Sequence, residues 1–119
     1  MQGGHTCARK HNGTVLCWGR NTYGQLGVVS AVERNPSPIL LPGLADVAGV
    51  AAGGDYTCAW RADGTLFCWG YNGNGQRGLG DTTSRVTPVL VPLAGVLEVA
   101  TGHLSTCARI TGGTVRCWG

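Results

Sequence analysis

The chain repeats one pattern of residues three times. Each copy holds a Thr-Cys-Ala triplet and, ten residues after its cysteine, the cysteine of a Cys-Trp-Gly triplet. The first cysteines of the copies, Cys7, Cys58 and Cys107, lie 51 and then 49 residues apart. A period of about 50 residues with short apolar segments is typical of architectures that stack one structural unit per copy. The pattern therefore predicts a stacked array whose function lies on its surface rather than in one catalytic motif.

Composition favours an all-β chain. Glycine takes 21 of the 119 positions, charged residues make up only 13%, and no run of helix-forming Glu, Lys and Leu occurs. The nine lysine and arginine residues are scattered rather than gathered in a basic stripe, which disfavours nucleic-acid binding. No apolar run approaches the roughly 20 residues of a membrane-spanning helix. No signal peptide precedes the first copy, so we expect a cytosolic chain or one cut from a longer secreted precursor.

The spacing of the six cysteines predicts three disulfide bonds. In each copy a glycine follows the first cysteine by six positions, which suits a three-residue hairpin turn ending in a left-handed glycine. Counting outward from that turn places the two cysteines opposite each other in a non-hydrogen-bonded pair, where Cα atoms lie about 4.5 Å apart and a disulfide can form. The predicted pairs are Cys7–Cys17, Cys58–Cys68 and Cys107–Cys117.

Two alternatives to disulfide bonding of the cysteines are free thiols and a zinc site. Six free, buried thiols would suit a cytosolic protein. A zinc site is disfavoured, because structural zinc takes cysteines from knuckles two to four residues apart, and the nearest further ligand, His5, is replaced by Tyr56 and Ser105 in the other copies. Disulfides persist mainly outside the reducing cytosol. The pairing therefore favours an extracellular, periplasmic or cell-surface location.

The first two copies continue with three further segments. They are a Gly-x-Asn-x-x-Gly-Gln-x-Gly frame, a proline-bounded apolar run and a segment of small residues, at 19–27, 38–42 and 47–52 and again at 70–78, 88–92 and 96–101. Proline at both ends suits an outer strand, and small residues suit an inner strand near an axis. Four strands per copy at this period predict one antiparallel blade of a β-propeller.

Ten predicted strands make two and a half blades, so the ring is incomplete. We expect one repeat array over 1–119, with a first repeat unit at 1–52, a second at 53–101 and the terminal hairpin of a third at 102–119. A propeller needs about four to eight blades. We therefore expect a fragment of a longer protein, or a short chain that completes a ring by overlapping copies. Open apolar blade faces predict self-association.

These motifs closely resemble the repeats of the regulator of chromosome condensation family. The shared features are the Gly-x-Asn-x-x-Gly-Gln-x-Gly frame, the Asp-Gly-Thr hairpin followed by Trp-Gly, and the small-residue strand, and together they cover essentially the whole chain. The paired cysteines look like the variety found in bacterial exported proteins. The resemblance implies blades of a seven-bladed ring, and functions such as guanine-nucleotide exchange on a small GTPase, nucleosome binding or inhibition of a secreted enzyme.

No motif predicts catalysis, a metal site or a cofactor. The segment 73–78 matches Gly-x-Gly-x-x-Gly, but no helix follows it, and a dinucleotide site requires one. The three histidines occupy different places in their copies, and we expect them to be solvated at loop edges. Asn12-Gly13-Thr14 matches an N-glycosylation sequence, although a hairpin turn explains the same residues. We therefore expect a chain that is not an enzyme.

The residues that differ between copies are the candidates for partner binding. Aromatic and arginine side chains are the usual anchors of protein interfaces, whereas the repeated Trp18, Trp69 and Trp118 are expected in the core. The predicted contact residues are Arg20, Tyr23, Arg34, Trp60, Tyr71, Asn74, Arg77 and Arg85. The expected function is a non-catalytic protein-binding module of a larger exported bacterial protein. The alternatives are a structural spacer or adhesion scaffold, and a regulator of a small GTPase.

Overall fold

The structure is a computed structural model that describes residues 4–22, 24–27, 34–41, 44–54, 56–70, 85–102 and 105–118, with backbone only at 34, 36 and 85–87. In these ranges the chain forms ten β-strands and no helix. The strands are β1 (His5–Arg9), β2 (Val15–Arg20), β3 (Arg34–Leu40), β4 (Val47–Ala52), β5 (Tyr56–Arg61), β6 (Leu66–Gly70), β7 (Arg85–Val91), β8 (Val96–Thr101), β9 (Thr106–Ile110) and β10 (Thr114–Trp118). None of the described segments is a helix long and apolar enough to span a membrane.

The ten strands form three antiparallel sheets that do not close into a ring. The first sheet has the order β1-β2-β3, the central sheet β4-β5-β6-β7 and the third sheet β10-β9-β8. The predicted all-β class with an incomplete ring is thus the observed one. The complete four-stranded sheet runs from Val47 to Val91 and takes β4 from the first sequence unit, 1–52. The sheets are therefore offset from the repeat units, because each inner strand pairs with the hairpin that follows it.

Left-handed glycines set the register of the three hairpins. Gly13, Gly64 and Gly113 have φ of 82°, 90° and 87°, values that residues with a Cβ rarely adopt. The first turn closes with hydrogen bonds from the Gly13 amide to the Lys10 carbonyl (3.0 Å) and from the Lys10 amide to the Thr14 carbonyl (2.8 Å). The predicted register follows, with each copy's two cysteines opposite each other.

The apolar core lies between the sheets rather than within one of them. The first cluster joins the first and central sheets and is built from Val15, Cys17, Leu26, Leu41, Leu44, Val47, Ala59 and Trp69. The second joins the central and third sheets and is built from Tyr56, Cys58, Leu66, Cys68, Val91, Val96, Val99 and Ala108. Burying one large apolar side chain contributes about 1.5–3 kcal/mol. Stacking of sheets is therefore the main source of stability.

The hairpin turns also hold the neighbouring sheet. The Gly13 carbonyl accepts a hydrogen bond from the amide of Val47 (2.9 Å), and the Gly64 carbonyl accepts one from the amide of Val96 (3.1 Å). A Cβ on Gly64 would lie 2.9 Å from the backbone of Gly95. The third turn differs, because a Cβ on Gly113 would meet nothing within 4 Å.

These contacts predict unequal costs for two glycine substitutions. Gly64→Ala combines left-handed strain with a backbone clash, whereas Gly113→Ala, at φ 87°, adds only the strain. We expect Gly64→Ala to lower the free energy of unfolding by about 1–3 kcal/mol more than Gly113→Ala. Urea unfolding of both variants measures the difference. Equal losses would show that the turn does not contact the next sheet closely.

Candidate partner-binding surface

The repeated polar frame of the first copy joins the first loop to the central sheet. The main-chain carbonyl of Gln25 accepts two buried hydrogen bonds, one from the Thr57 hydroxyl (2.7 Å) and one from the Trp69 indole nitrogen (2.9 Å). Thr57 and Trp69 lie on β5 and β6, so one carbonyl connects the loop to both strands of the next hairpin. We call this set of three residues the Gln25 junction.

The loop itself is shaped by the remaining residues of the frame. The side-chain oxygen of Asn21 accepts the amide of Leu26 (3.1 Å), and the amide of Gly27 donates to the Gly24 carbonyl (3.0 Å). Gly27 has φ of 80°, and a Cβ there would lie 2.7 Å from Leu41 and 3.0 Å from the indole nitrogen of Trp69. The asparagine and glycines of the frame thus bring Gln25 against the central sheet.

A second set of polar contacts repeats at both boundaries between sheets. His5 Nε2 lies 2.9 Å from the Thr57 hydroxyl. Because Thr57 gives its only hydroxyl hydrogen to Gln25, Nε2 of His5 is the donor in this contact. At the next boundary the Thr106 hydroxyl donates to the Tyr56 oxygen (2.8 Å), and Tyr56 donates to the Ser105 carbonyl. His5 is fully buried, so the expectation that it is solvated at a loop edge was wrong.

Tyr56 is the aromatic counterpart of His5 in the second copy. Burial raises the pKa of its phenol above the usual range, and hydrogen bonds with Thr106 and the backbone of Gly102 oppose that shift. The phenol therefore stays protonated through neutral pH and continues to donate to the third sheet. Both boundary residues serve the packing of sheets rather than a surface.

The three predicted disulfides are present. Cys7–Cys17, Cys58–Cys68 and Cys107–Cys117 each join opposite residues of one hairpin, with Cα atoms 4.1 Å apart. The second bond is completely buried in the core, whereas Cys117 is exposed on β10. Three disulfides in a short chain are typical of an oxidising environment. Across the described ranges, no group of three or more His, Cys, Asp or Glu residues could hold a metal ion.

Two of the predicted contact residues meet at one end of the first sheet. Arg20, the last residue of β2, pairs in register with Arg34, the first residue of β3. Arg20 is exposed and its Nε donates to the Thr22 hydroxyl (3.0 Å). We call the pair of Arg20 and Arg34 the arginine edge. Arg85 begins β7 and pairs with Gly70 in the central sheet.

The other predicted contact residues are placed differently. Trp60 is half-buried, packs against the second core cluster and covers Gly49, whose Cβ would lie 2.2 Å from its ring. The ring of Trp60 thus occupies the space beside β4 that a side chain at position 49 would fill. The remaining four, Tyr23, Tyr71, Asn74 and Arg77, lie outside the described residues. Of the repeated tryptophans, Trp69 is fully buried, and Trp18 and Trp118 are half-buried.

Sequence reasoning missed an exposed leucine on the outer strands. Leu40 and Leu90, at the same place in their copies, are 54% and 55% exposed. Leu90 lies at an open groove of about 370 Å³ that also includes Pro92, Leu93 and Asp63. Alternation along a strand was the available signal, because in three consecutive apolar residues the middle one must face away from the other two.

A family model for the regulator of chromosome condensation (RCC1) repeat matches residues 12–60 and 63–109, and a second model of the same repeat matches 47–76. The chain belongs to the RCC1 repeat family. It is 39% identical over 89 residues to the human probable E3 ubiquitin-protein ligase HERC4, covering 73% of this chain and 8% of that protein. It is also 39% identical over 85 residues to the ultraviolet-B receptor UVR8 of Arabidopsis thaliana, covering 71% and 19%.

Solved structures of the family share the fold. Human WBSCR16 superposes with a TM-score of 0.86 at 28% identity, covering 98% of this chain and 31% of that one. Yeast RCC1 (Prp20), solved bound to Kap60, superposes at 0.82 with 24% identity, covering 96% and 27%. The three sheets are therefore blades of an RCC1-type β-propeller. The chain spans less than a third of each of these relatives.

The Gln25 junction predicts a specific cost for losing one hydroxyl. Thr57→Val keeps the branched shape of the side chain but leaves His5 Nε2 without its hydroxyl acceptor and removes one donor to Gln25. We expect a loss of about 1–3 kcal/mol in the free energy of unfolding. Thr57→Ser is the matched control, since it keeps the hydroxyl and removes one methyl group. Chemical denaturation compares them, and a Val variant at least as stable as the Ser variant would contradict the junction.

Proposed function

We propose that this RCC1-repeat chain is a non-catalytic protein-binding module that presents the loop end of its first blade to an acidic protein partner. The arginine edge supports this proposal most directly. Arg20 is exposed and pairs through its main chain with Arg34, so two cationic residue types are adjacent at this strand end, which suits an anionic ligand. The pair also lies in the part of the repeat where the copies differ, since Tyr71 replaces Arg20 in the second copy.

The repeated polar residues support the same division of roles. Thr57, Trp69 and the Gln25 carbonyl are used inside the junction, so they are not available to a partner. The differing residues at strand ends and loops are the ones left for recognition. Arginine suits this task because its planar guanidinium binds carboxylates through two parallel hydrogen bonds. The net charge of +3 further favours association with an acidic surface.

An exported origin fits the proposed module. The three disulfides favour an oxidising compartment, and the paired cysteines resemble bacterial exported members of the family. Secretion and the bacterial source are part of this proposal. The placement of polar residues favours binding over catalysis, because the polar groups that the copies share are used in the packing of blades.

Two alternative functions differ from a binding module in whether they need the arginine edge. A structural spacer or adhesion scaffold needs the junctions but no particular loop residues. A regulator of a small GTPase is the function that the family resemblance implies. The structure of yeast Prp20p was described together with its binding properties to Gsp1p and histones. Those partners belong to that protein, and an intracellular GTPase fits poorly with three disulfides.

Charge reversal at the strand ends distinguishes a binding module from a spacer. We expect the triple variant Arg20→Glu, Arg34→Glu and Arg85→Glu to bind an acidic partner, captured from exported proteins, with an affinity at least about tenfold lower than the wild type. The affinity of the wild-type chain should fall as the salt concentration rises. Arg116→Glu, a charge reversal at an exposed residue of β10, is the control and should bind normally. Titration by calorimetry measures both. Unchanged affinity of the triple variant would refute the arginine edge.

A further inference from the structure

The turn of the first hairpin uses only part of the Asn12 side chain. Asn12 is exposed, and its Oδ1 accepts hydrogen bonds from the amide of Thr14 (3.2 Å) and from the Thr14 hydroxyl (2.6 Å). The oxygen thus shapes the turn. The amide nitrogen, Nδ2, is a separate group whose role the second hairpin helps to define.

The second hairpin builds the same turn without an amide. Asp63 stands at the equivalent position, and its Oδ1 accepts the amide of Thr65 (3.1 Å) and the Thr65 hydroxyl (2.8 Å). These hydrogen bonds hold the pKa of Asp63 below its usual range, so the group stays a carboxylate. In these two copies the turn therefore uses one side-chain oxygen and no nitrogen. Nδ2 of Asn12 is a chemical difference between two copies that fold alike.

The surroundings of Asn12 leave room for a large substituent. The main chain of the turn is held on its buried side, because Gly13 is buried and its backbone forms hydrogen bonds with Lys10 and Val47. His11 and Asn12, in contrast, are exposed at the tip. A group attached to Nδ2 would extend from this tip without displacing a packed side chain.

We propose that Asn12 is an N-glycosylation site. Asn12-Gly13-Thr14 has the Asn-X-Thr sequence that this modification requires, and the Thr14 hydroxyl already contacts the acceptor amide. In the transfer, Nδ2 bonds to the anomeric carbon of a lipid-linked oligosaccharide diphosphate. The bond from that carbon to the diphosphate oxygen breaks, the lipid diphosphate leaves with the electron pair, and Nδ2 loses one proton. Modification of Asn12 requires a secretory pathway with a transferase for this step and does not rest on the bacterial source proposed above, while the disulfides favour an oxidising compartment in either case.

The test is secretion of the full chain from eukaryotic cells behind a cleavable leader, followed by intact mass measurement. We expect most chains to have a heavier, heterogeneous mass that peptide N-glycosidase F reduces to one species, with Asn12 converted to aspartate. Asn12→Asp is the matched control, because Asp63 already makes this turn, and it should be secreted without a glycan. Asp63→Asn places the same three-residue sequence in the second turn, and this variant should gain a second glycan.

Several outcomes would overturn the proposal. They are a disulfide-bonded wild-type chain with bare Asn12, a mass shift that persists in Asn12→Asp, and an Asp63→Asn variant with no second glycan. Chains retained inside the cells are measured in the same way, so poor secretion cannot hide the result.

Discussion

One main-chain carbonyl connects the first blade of this chain to the second. The carbonyl of Gln25 accepts hydrogen bonds from Thr57 and Trp69, on the two strands of the next hairpin. A buried carbonyl without partners costs about 1–3 kcal/mol, whereas each satisfied bond contributes about 1 kcal/mol net. The loop can reach this position only because Gly27 has a left-handed backbone and no Cβ. The spacing of asparagine, glycine and glutamine in the frame is thus a requirement of blade stacking.

Much of the fold was predictable from local rules. A left-handed glycine fixes the hairpin turn, the turn fixes the register, and the register places Cys58 opposite Cys68. Contacts between blades were harder to predict, because they depend on which side of each sheet faces its neighbour. His5 illustrates the difficulty, since nothing in its own copy indicates that Thr57, 52 residues later, covers it. The adjacency of Arg20 and Arg34 was missed for the same reason, because it arises from a register that shifts at a bulge.

The residues that the copies of this chain share stabilise the stacking of blades and do not specify a function. A ubiquitin-protein ligase and a light receptor contain repeats similar to this chain, and fold alone does not determine function. In this chain the shared polar residues join blades, while the arginine edge and Asn12 lie where the copies differ. Trp60 shows that a differing residue can also serve packing, because it replaces an arginine and fills the space above Gly49. Each differing residue must therefore be judged by its contacts.

Hydrogen exchange of the tryptophan indoles, followed by NMR, tests most directly whether the repeated frame joins the blades. Trp69 Nε1 is bonded to Gln25 inside the first core cluster, whereas Trp60 lies half-buried at the opposite boundary. We predict that the Trp69 indole hydrogen exchanges at least about a hundredfold more slowly than that of Trp60, because exchange at Trp69 requires the Gln25 junction to open. Exchange of Trp69 as fast as that of Trp60 would contradict this prediction.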